Sequence, residues 1–153
     1  MPAPDPVVLV LVTSDSLWAH AEAIRTRVFV EEQACPPDEE WDAFDDWAGG
    51  AARHFVLFVG DAPAATARWR VAEHDGHAVA KLERFAVLPA FRGRGLGRTL
   101  VARVLADAEE SGHARFVLHA QAHLERFYGT FGFQRDGLAF LEAGIVHVPM
   151  SRG

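Results

Sequence analysis

Arg84-Phe85-Ala86-Val87-Leu88-Pro89-Ala90-Phe91-Arg92-Gly93-Arg94-Gly95-Leu96-Gly97-Arg98 is the stretch on which the reading of this chain turns. A strand runs up to Pro89, three glycines make a turn, and a helix opens inside that turn. The helix carries Leu96, Leu100, Val101, Val104, Leu105 and Ala108 on one face. Such a junction offers successive unpaired backbone N–H groups and the positive end of a helix dipole, a combination that binds phosphate. Glycines leave no Cβ where the anion approaches, and Arg92, Arg94 and Arg98 add charge. The expected ligand carries a phosphate or pyrophosphate group. Two common phosphate motifs fail on spacing. G-x-G-x-x-G would need glycine where Arg98 stands, and a Walker A loop would need glycine at Arg92 and lysine at Arg98.

Outward from this stretch, residues 7–12 are a continuous aliphatic run that predicts a buried strand. Thr13 and Ser14 offer an N-cap, and Leu17, Trp18, Ala21, Ile24 and Val28 predict an amphipathic helix to about Val30. Residues 32–52 hold Pro36, Pro37, Gly49 and Gly50 among many acids and read as a long loop, functional or mobile. Strands are expected over 54–59, 64–72 and 78–88, the last two joined at Asp75-Gly76, where a type I′ turn needs positive φ at both residues. Gly112 suits the end of the glycine-turn helix. A strand over 115–120, a helix over 122–130, a strand near Phe133 and a last strand over 145–150 complete the pattern. The order β-α-βββ-α-β-α-ββ predicts an α+β domain around a mixed sheet.

The chain has 153 residues, half of them hydrophobic, enough for one domain with a real core, and nothing in residues 1–153 suggests a linker or repeat. Its single cysteine, Cys35, excludes an internal disulfide. No apolar run is long enough to span a bilayer, and no basic segment precedes residues 7–12, so a soluble, cytoplasmic protein without membrane partners is expected. A formal net charge of −6 argues against nucleic acid. That charge is local. Residues 31–46 hold eight acids and no base, and removing those eight from the chain's 21 acidic residues leaves 13 against 15 basic ones. The acidic stretch reads either as one border of a cleft for a cationic substrate or as a solvated loop.

The spacing R-x-x-G-x-G at Arg92, Gly95 and Gly97, after a strand ending Phe85-Ala86-Val87, resembles the acetyl-CoA pyrophosphate motif of the GNAT acyltransferase superfamily. The element order is similar to that fold over nearly the whole chain, which implies a mostly antiparallel central sheet flanked by helices. Phe127-Tyr128-Gly129-Thr130-Phe131-Gly132-Phe133 is similar to the F-Y-x-x-x-G-F segment of the same superfamily. Val28-Phe29-Val30-Glu31-Glu32-Gln33 with Cys35-Pro36, Glu40-x-Asp42-x-x-Asp45, and Phe140-x-Glu142-x-Gly144-Ile145-x-His147-x-x-Met150 resemble its ElaA-like branch.

The resemblance implies an N-acetyltransferase that moves acetyl from acetyl-CoA to a primary amine, on a small molecule or a peptide, by direct attack. The alternative is a catalytically idle acyl-CoA-binding module. The implied cofactor-binding residues are Phe85, Ala86, Val87, Arg92, Gly93, Arg94, Gly95, Leu96, Gly97 and Arg98, with Gln121 on the pantetheine arm. The N–H of Val87 is the implied oxyanion donor, on a strand whose bulge parts it from residues 115–120. Tyr128 is the implied general acid, the other reading being a core aromatic. An amine is protonated at pH 7, so direct attack needs a base. Glu83 is the first candidate, since simple alternation puts Glu83, Phe85 and Val87 on one face. Its other reading is a carboxylate paired with Lys81 or Arg84, and Glu142, His147 and Glu32 remain alternative bases. Candidate acceptor residues are Arg27, Glu32, Asp42, Glu142 and His147. No metal site is expected, His119 and His123 having no third ligand nearby in sequence. A homodimer is open, with Trp18, Trp41, Trp47 and Trp69 as its candidate exposed aromatics.

Overall fold

The computed structural model of the chain describes residues 3–153. Strand β1 (Val7–Leu11) leads to helix α1 (Asp15–Arg25), whose first turn is capped where the Ser14 hydroxyl oxygen accepts the Leu17 N–H at 3.2 Å. The helix does not stop near Val30. It widens into π-type turns over Thr26–Glu32 and so carries Val28, Phe29 and Glu32 to the edge of a cleft. After a short helix α2 (Pro37–Glu40) come strands β2 (Arg53–Val59), β3 (Ala62–His74) and β4 (His77–Val87). The β3–β4 turn has φ of 50° at Asp75 and 77° at Gly76, as a type I′ hairpin requires.

Helix α3 (Leu96–Glu110) follows the glycine turn, then β5 (Phe116–Gln121), α4 (Glu125–Gly129), β6 (Gln134–Arg135), β7 (Phe140–Glu142) and β8 (Ile145–Arg152). The eight strands form one sheet in the order β1-β2-β3-β4-β5-β8-β6, with β7 on β8, and only β4 and β5 run parallel. The expected α+β class and order hold. The β7–β8 hairpin is an addition, turning at Ala143 and Gly144 with φ of 51° and 77°; an alanine in that conformation gives no turn signal in sequence.

Helix α3 buries all six residues of its expected stripe against one sheet face, together with Leu57, Ala65, Leu82, Leu118 and Tyr128 of α4. On the opposite face Ala21 and Ile24 of α1, with Val28 after it, pack on Val56 and Ala86. The acidic segment is ordered against this second face, while Glu31, Glu32, Asp38, Glu39, Asp42 and Asp46 stay exposed. Three short helical turns run through it, at Pro37–Glu40, Ala43–Asp45 and Trp47–Gly49. Arg25, 1% exposed, binds Glu40 at 2.7 Å and also Asp45. Arg68, equally buried, binds Asp42 at 2.7 Å, Asp45 at 2.8 Å and Glu83 at 3.2 Å. Much of the local negative charge is therefore neutralised from beneath. The four tryptophans are not exposed: Trp69 is buried and donates its indole N–H to Asp107 at 2.8 Å, while Trp18, Trp41 and Trp47 are partly buried, Trp41 under the Arg25 guanidinium.

Candidate active site

Strands β4 and β5 pair only at Ala80–Phe116, Lys81–Val117 and Leu82–Leu118. Beyond that point β4 runs on to Val87 and β5 to Gln121 without touching, and the gap between them opens a cleft of about 940 Å³. The cause of the divergence is local. In the β3–β4 ladder Arg68 faces Glu83 but Thr66 faces Ala86, so β4 has one extra residue, and Arg84 sits there with φ of 60°. Such a bulge bends its strand and increases the twist.

The bulge also resets the alternation of side chains. Glu83 lies opposite Arg68 on the α1 face of the sheet, whereas Val87 lies opposite Ala65 on the α3 face, where Phe85 also packs. The expectation that Glu83, Phe85 and Val87 share a face is overturned by that one residue. Glu83 still lines the cleft, but Arg70 at 2.7 Å, Arg68 at 3.2 Å and Lys81 at 3.7 Å surround its carboxylate. Although burial opposes it, this cationic surround holds the Glu83 carboxyl below the usual carboxylate range. A carboxylate so engaged is a weak proton acceptor.

Val87 lines the cleft beyond the last β4–β5 pair. Leu88 N–H bonds Ala64 O at 2.9 Å, so the neighbouring Val87–Ala65 position is a non-bonded pair of the antiparallel ladder. Both polar groups of Val87 therefore turn away from β3 toward the cleft. Its carbonyl accepts Arg92 Nε–H at 3.0 Å, which leaves its N–H facing the opening.

In the glycine turn, φ is 79° at Gly93 and 75° at Gly95, and a Cβ at either would meet open space. A side chain there is strained by the backbone and not by crowding. Gly95 is the N-cap of α3 and no side chain caps the helix, so among the described residues the N–H groups of residues 93–98 have no partner. Arg94 lies over Phe91, and Arg98 over Phe127 and Phe131; among the described residues neither has a carboxylate partner. Arg92 differs, since Glu32 grips its guanidinium with two contacts of 2.6 Å. This cradle of free donors and free cations fits a pyrophosphate.

Tyr128 lies where the cleft passes through the sheet to the α3 side. It is 7% exposed, ringed edge-on by Phe85, Phe127 and Phe133, and its hydroxyl has no partner among the described residues. Burial pushes its phenol well above the ordinary value, so it keeps its proton and remains available as a donor. On the α1 side, His119 of β5, Glu142 of β7 and His147 of β8 cluster: His119 Nδ1 is 3.5 Å and His147 Nε2 is 3.6 Å from the two carboxylate oxygens of Glu142. Phe140 stacks on His147 and meets His119 edge-on. His119 is the residue that sequence spacing missed, because the β5–β8 pairing that brings Glu142 and His147 beside it joins segments far apart in the chain. Gln121 bonds Gln33 at 3.0 Å across the cleft.

Two expected acceptor residues lie elsewhere. Asp42 does not line the cleft, being held by Arg68 and capping the turn Ala43–Asp45, and Arg27 is exposed beside Glu31. Glu32, Glu142 and His147 do line it. Among the described residues no three His, Cys, Asp or Glu side chains are arranged to hold a metal ion, and no helix is long and apolar enough to cross a membrane.

Residues 20–152 match the family model described as an acetyltransferase (GNAT) domain. An N-acetyltransferase of Bacillus subtilis (strain 168) named YjcF, itself uncharacterised, is 34% identical over 130 residues, covering 84% of this chain and 87% of its own. A solved acyl-CoA N-acyltransferase from Pseudomonas aeruginosa superposes with a TM-score of 0.80 at 32% identity, covering 99% of this chain and 100% of that one. The crystal structure of Escherichia coli ElaA does so with 0.81 at 29% identity, covering 97% and 99%.

Proposed function

The chain belongs to the GNAT acetyltransferase family, and from that premise we propose that it transfers acetyl from acetyl-CoA to the primary amine of a small molecule or peptide, by direct attack within one complex. The observation that carries this reading is the split between β4 and β5. It opens one passage with a phosphate cradle and a buried phenol toward the α3 side and a polar mouth toward the α1 side. A donor seated through the sheet and an acceptor entering from the other face would meet there. Acetyl-CoA supplies a thioester carbonyl for the amine to attack and a thiolate to depart.

The residues divide the remaining work. Arg94, Arg98 and the N–H groups of residues 93–98 bind the pyrophosphate, and the glycines let the backbone approach it. Val87 N–H donates to the oxygen on which charge develops, a donor held in place before the reaction begins. The Tyr128 hydroxyl donates to the departing sulfur. Its raised pKa makes it a hydrogen-bond donor that is slow to surrender its proton, so it stabilises the developing thiolate more than it neutralises it.

The test is CoA-thiol release from acetyl-CoA against a panel of amino acids, polyamines, amino sugars, aminoglycosides and peptide N-termini, with CoA binding measured by calorimetry. Turnover with at least one amine is expected. CoA binding without thiol release from any of them would leave the idle binding module as the correct reading. Glu32 gives a further handle, because it occupies the guanidinium that the motif offers to phosphate. Glu32→Gln is expected to tighten CoA binding roughly threefold at low salt, the scale of an exposed ion pair. Unchanged or weaker binding would show that the pair does not compete with the ligand.

A further inference from the structure

Direct attack needs a neutral amine, and the acid–base groups of the cleft differ in whether they can still accept a proton. Glu83 is surrounded by Arg68, Arg70 and Lys81, and Glu32 is bound by Arg92; Glu40, whose carboxyl pKa burial raises, has its Oε1 engaged by Arg25 and by Arg84 at 3.3 Å. The Cys35 thiol is buried, and its pKa is raised by desolvation and by Glu40. His147 is different. Its Nδ1 lies 2.7 Å from the carbonyl of Ile145, which can only accept, so Nδ1 carries the hydrogen. In the neutral ring Nε2 then holds a lone pair, and what faces it at 3.6 Å is another acceptor, the Glu142 carboxylate. Two acceptors facing each other on the wall of a cleft form a place prepared for an incoming proton.

The register puts this place on the acceptor side. Leu82 and Leu118, the last paired residues of β4 and β5, face α3, so Glu83 and His119 turn toward α1. His147 lies opposite Gln121 and Phe140 in its two ladders, on that same face. Phe140 stacks on the ring and fixes its plane. The ring is 8% exposed, whereas the Glu142 and His119 side chains, 47% and 33% exposed, reach solvent.

We infer that His147 is the base that frees the acceptor amine of its proton, and that Glu142 and His119 relay this proton to water. The inference rests on the amine acylation proposed above. The ammonium N–H bond breaks with its electron pair left on nitrogen, and a new N–H bond forms at His147 Nε2. Glu142 balances the imidazolium charge. The proton then passes by way of Glu142 and His119 to solvent while the neutral amine attacks the thioester carbonyl. Glu142 on β7 is the charged group beside the ring; His119 on β5 and Lys81 on β4 act on Glu142, and Cys35, beyond α1, lines the same cleft.

The experiment measures thiol release against pH for the full chain with the best amine of the panel, in the wild type, His147→Gln and Glu142→Gln. CoA binding by calorimetry and far-UV circular dichroism confirm that each variant is folded. His147→Gln is expected to lose about a hundredfold in kcat at pH 7, with CoA affinity within twofold of wild type. Its rate should instead rise with the fraction of neutral amine, so that its deficit narrows above pH 9. Glu142→Gln, altered on an exposed hairpin, should lose about tenfold in kcat with unchanged CoA affinity, because the proton taken up at His147 loses its route to water. A folded His147→Gln that keeps wild-type turnover overturns the inference and leaves the acetyl-transfer reading intact. If His147→Gln does not fold, a folded Glu142→Gln that keeps wild-type turnover overturns it instead. A wild type that turns over no amine overturns both readings.

Discussion

Replacing Tyr128 by phenylalanine is expected to lower kcat for thiol release about a hundredfold while leaving CoA binding within twofold of wild type and stability within about 1 kcal/mol. The three parts of this result have separate causes. The Tyr128 hydroxyl has no partner among the described residues, so its removal breaks no hydrogen bond with them, and the ring's contacts with Phe85, Phe127 and Phe133 survive in phenylalanine. The phosphate cradle lies at residues 92–98, away from the phenol's oxygen, so cofactor affinity should persist. Only a donor to the leaving sulfur is lost. Thiol release in the purified variant, with calorimetric CoA binding beside it, reads all three at once. Full turnover would return Tyr128 to the role of a core aromatic.

Arg68→Met is expected to cost about 3 to 5 kcal/mol of stability in a denaturant titration, the range for removing one partner of a buried ionic cluster. Arg68 is 1% exposed and bound to Asp42, Asp45 and Glu83 on three separate segments. Arg25 still serves Asp45, and Arg70 and Lys81 still serve Glu83, which places the loss toward the lower figure. The same cluster sets acid sensitivity. Despite its burial, the Arg68 guanidinium holds Asp42 at about 2, below its model-peptide value of 3.8, and Asp45 and Glu83 are lowered too. A carboxyl lowered in the folded state contributes its stability above the unfolded value, and that contribution disappears as pH falls from about 4 toward 2. Wild-type stability should therefore drop through that window, and in Arg68→Met the drop should be shallower. A loss under 1 kcal/mol, or an unchanged acid profile, would show the acidic segment to be held by its apolar contacts instead.

The acidic segment shows where sequence reading ends. Eight acids among residues 31–46 look like a solvated face because their counter-charges are far away in the chain: Arg25 on α1, Arg68 on β3 and Arg84 at the β4 bulge. Charge summed along the chain cannot reveal charge paired across it. Glu83 illustrates the same limit at the scale of one residue. Alternation puts it beside Phe85 and Val87, and one inserted position with φ of 60° at Arg84 moves it to the other face.

What the sequence alone determined was local. The strand, the glycine turn and the helix of residues 84–110 are written in periodicity, in the residues that tolerate positive φ and in a phosphate cradle whose donors belong to one continuous segment. A motif built from neighbours along the chain survives whatever the rest of the molecule does. The tertiary structure alone decided the split between β4 and β5, the neutralisation of the acidic segment and the meeting of His119, Glu142 and His147. Each of these depends on strand order and register, which are set by how two sheet faces bury their apolar side chains against α1 and α3, and not by the identity of any one residue.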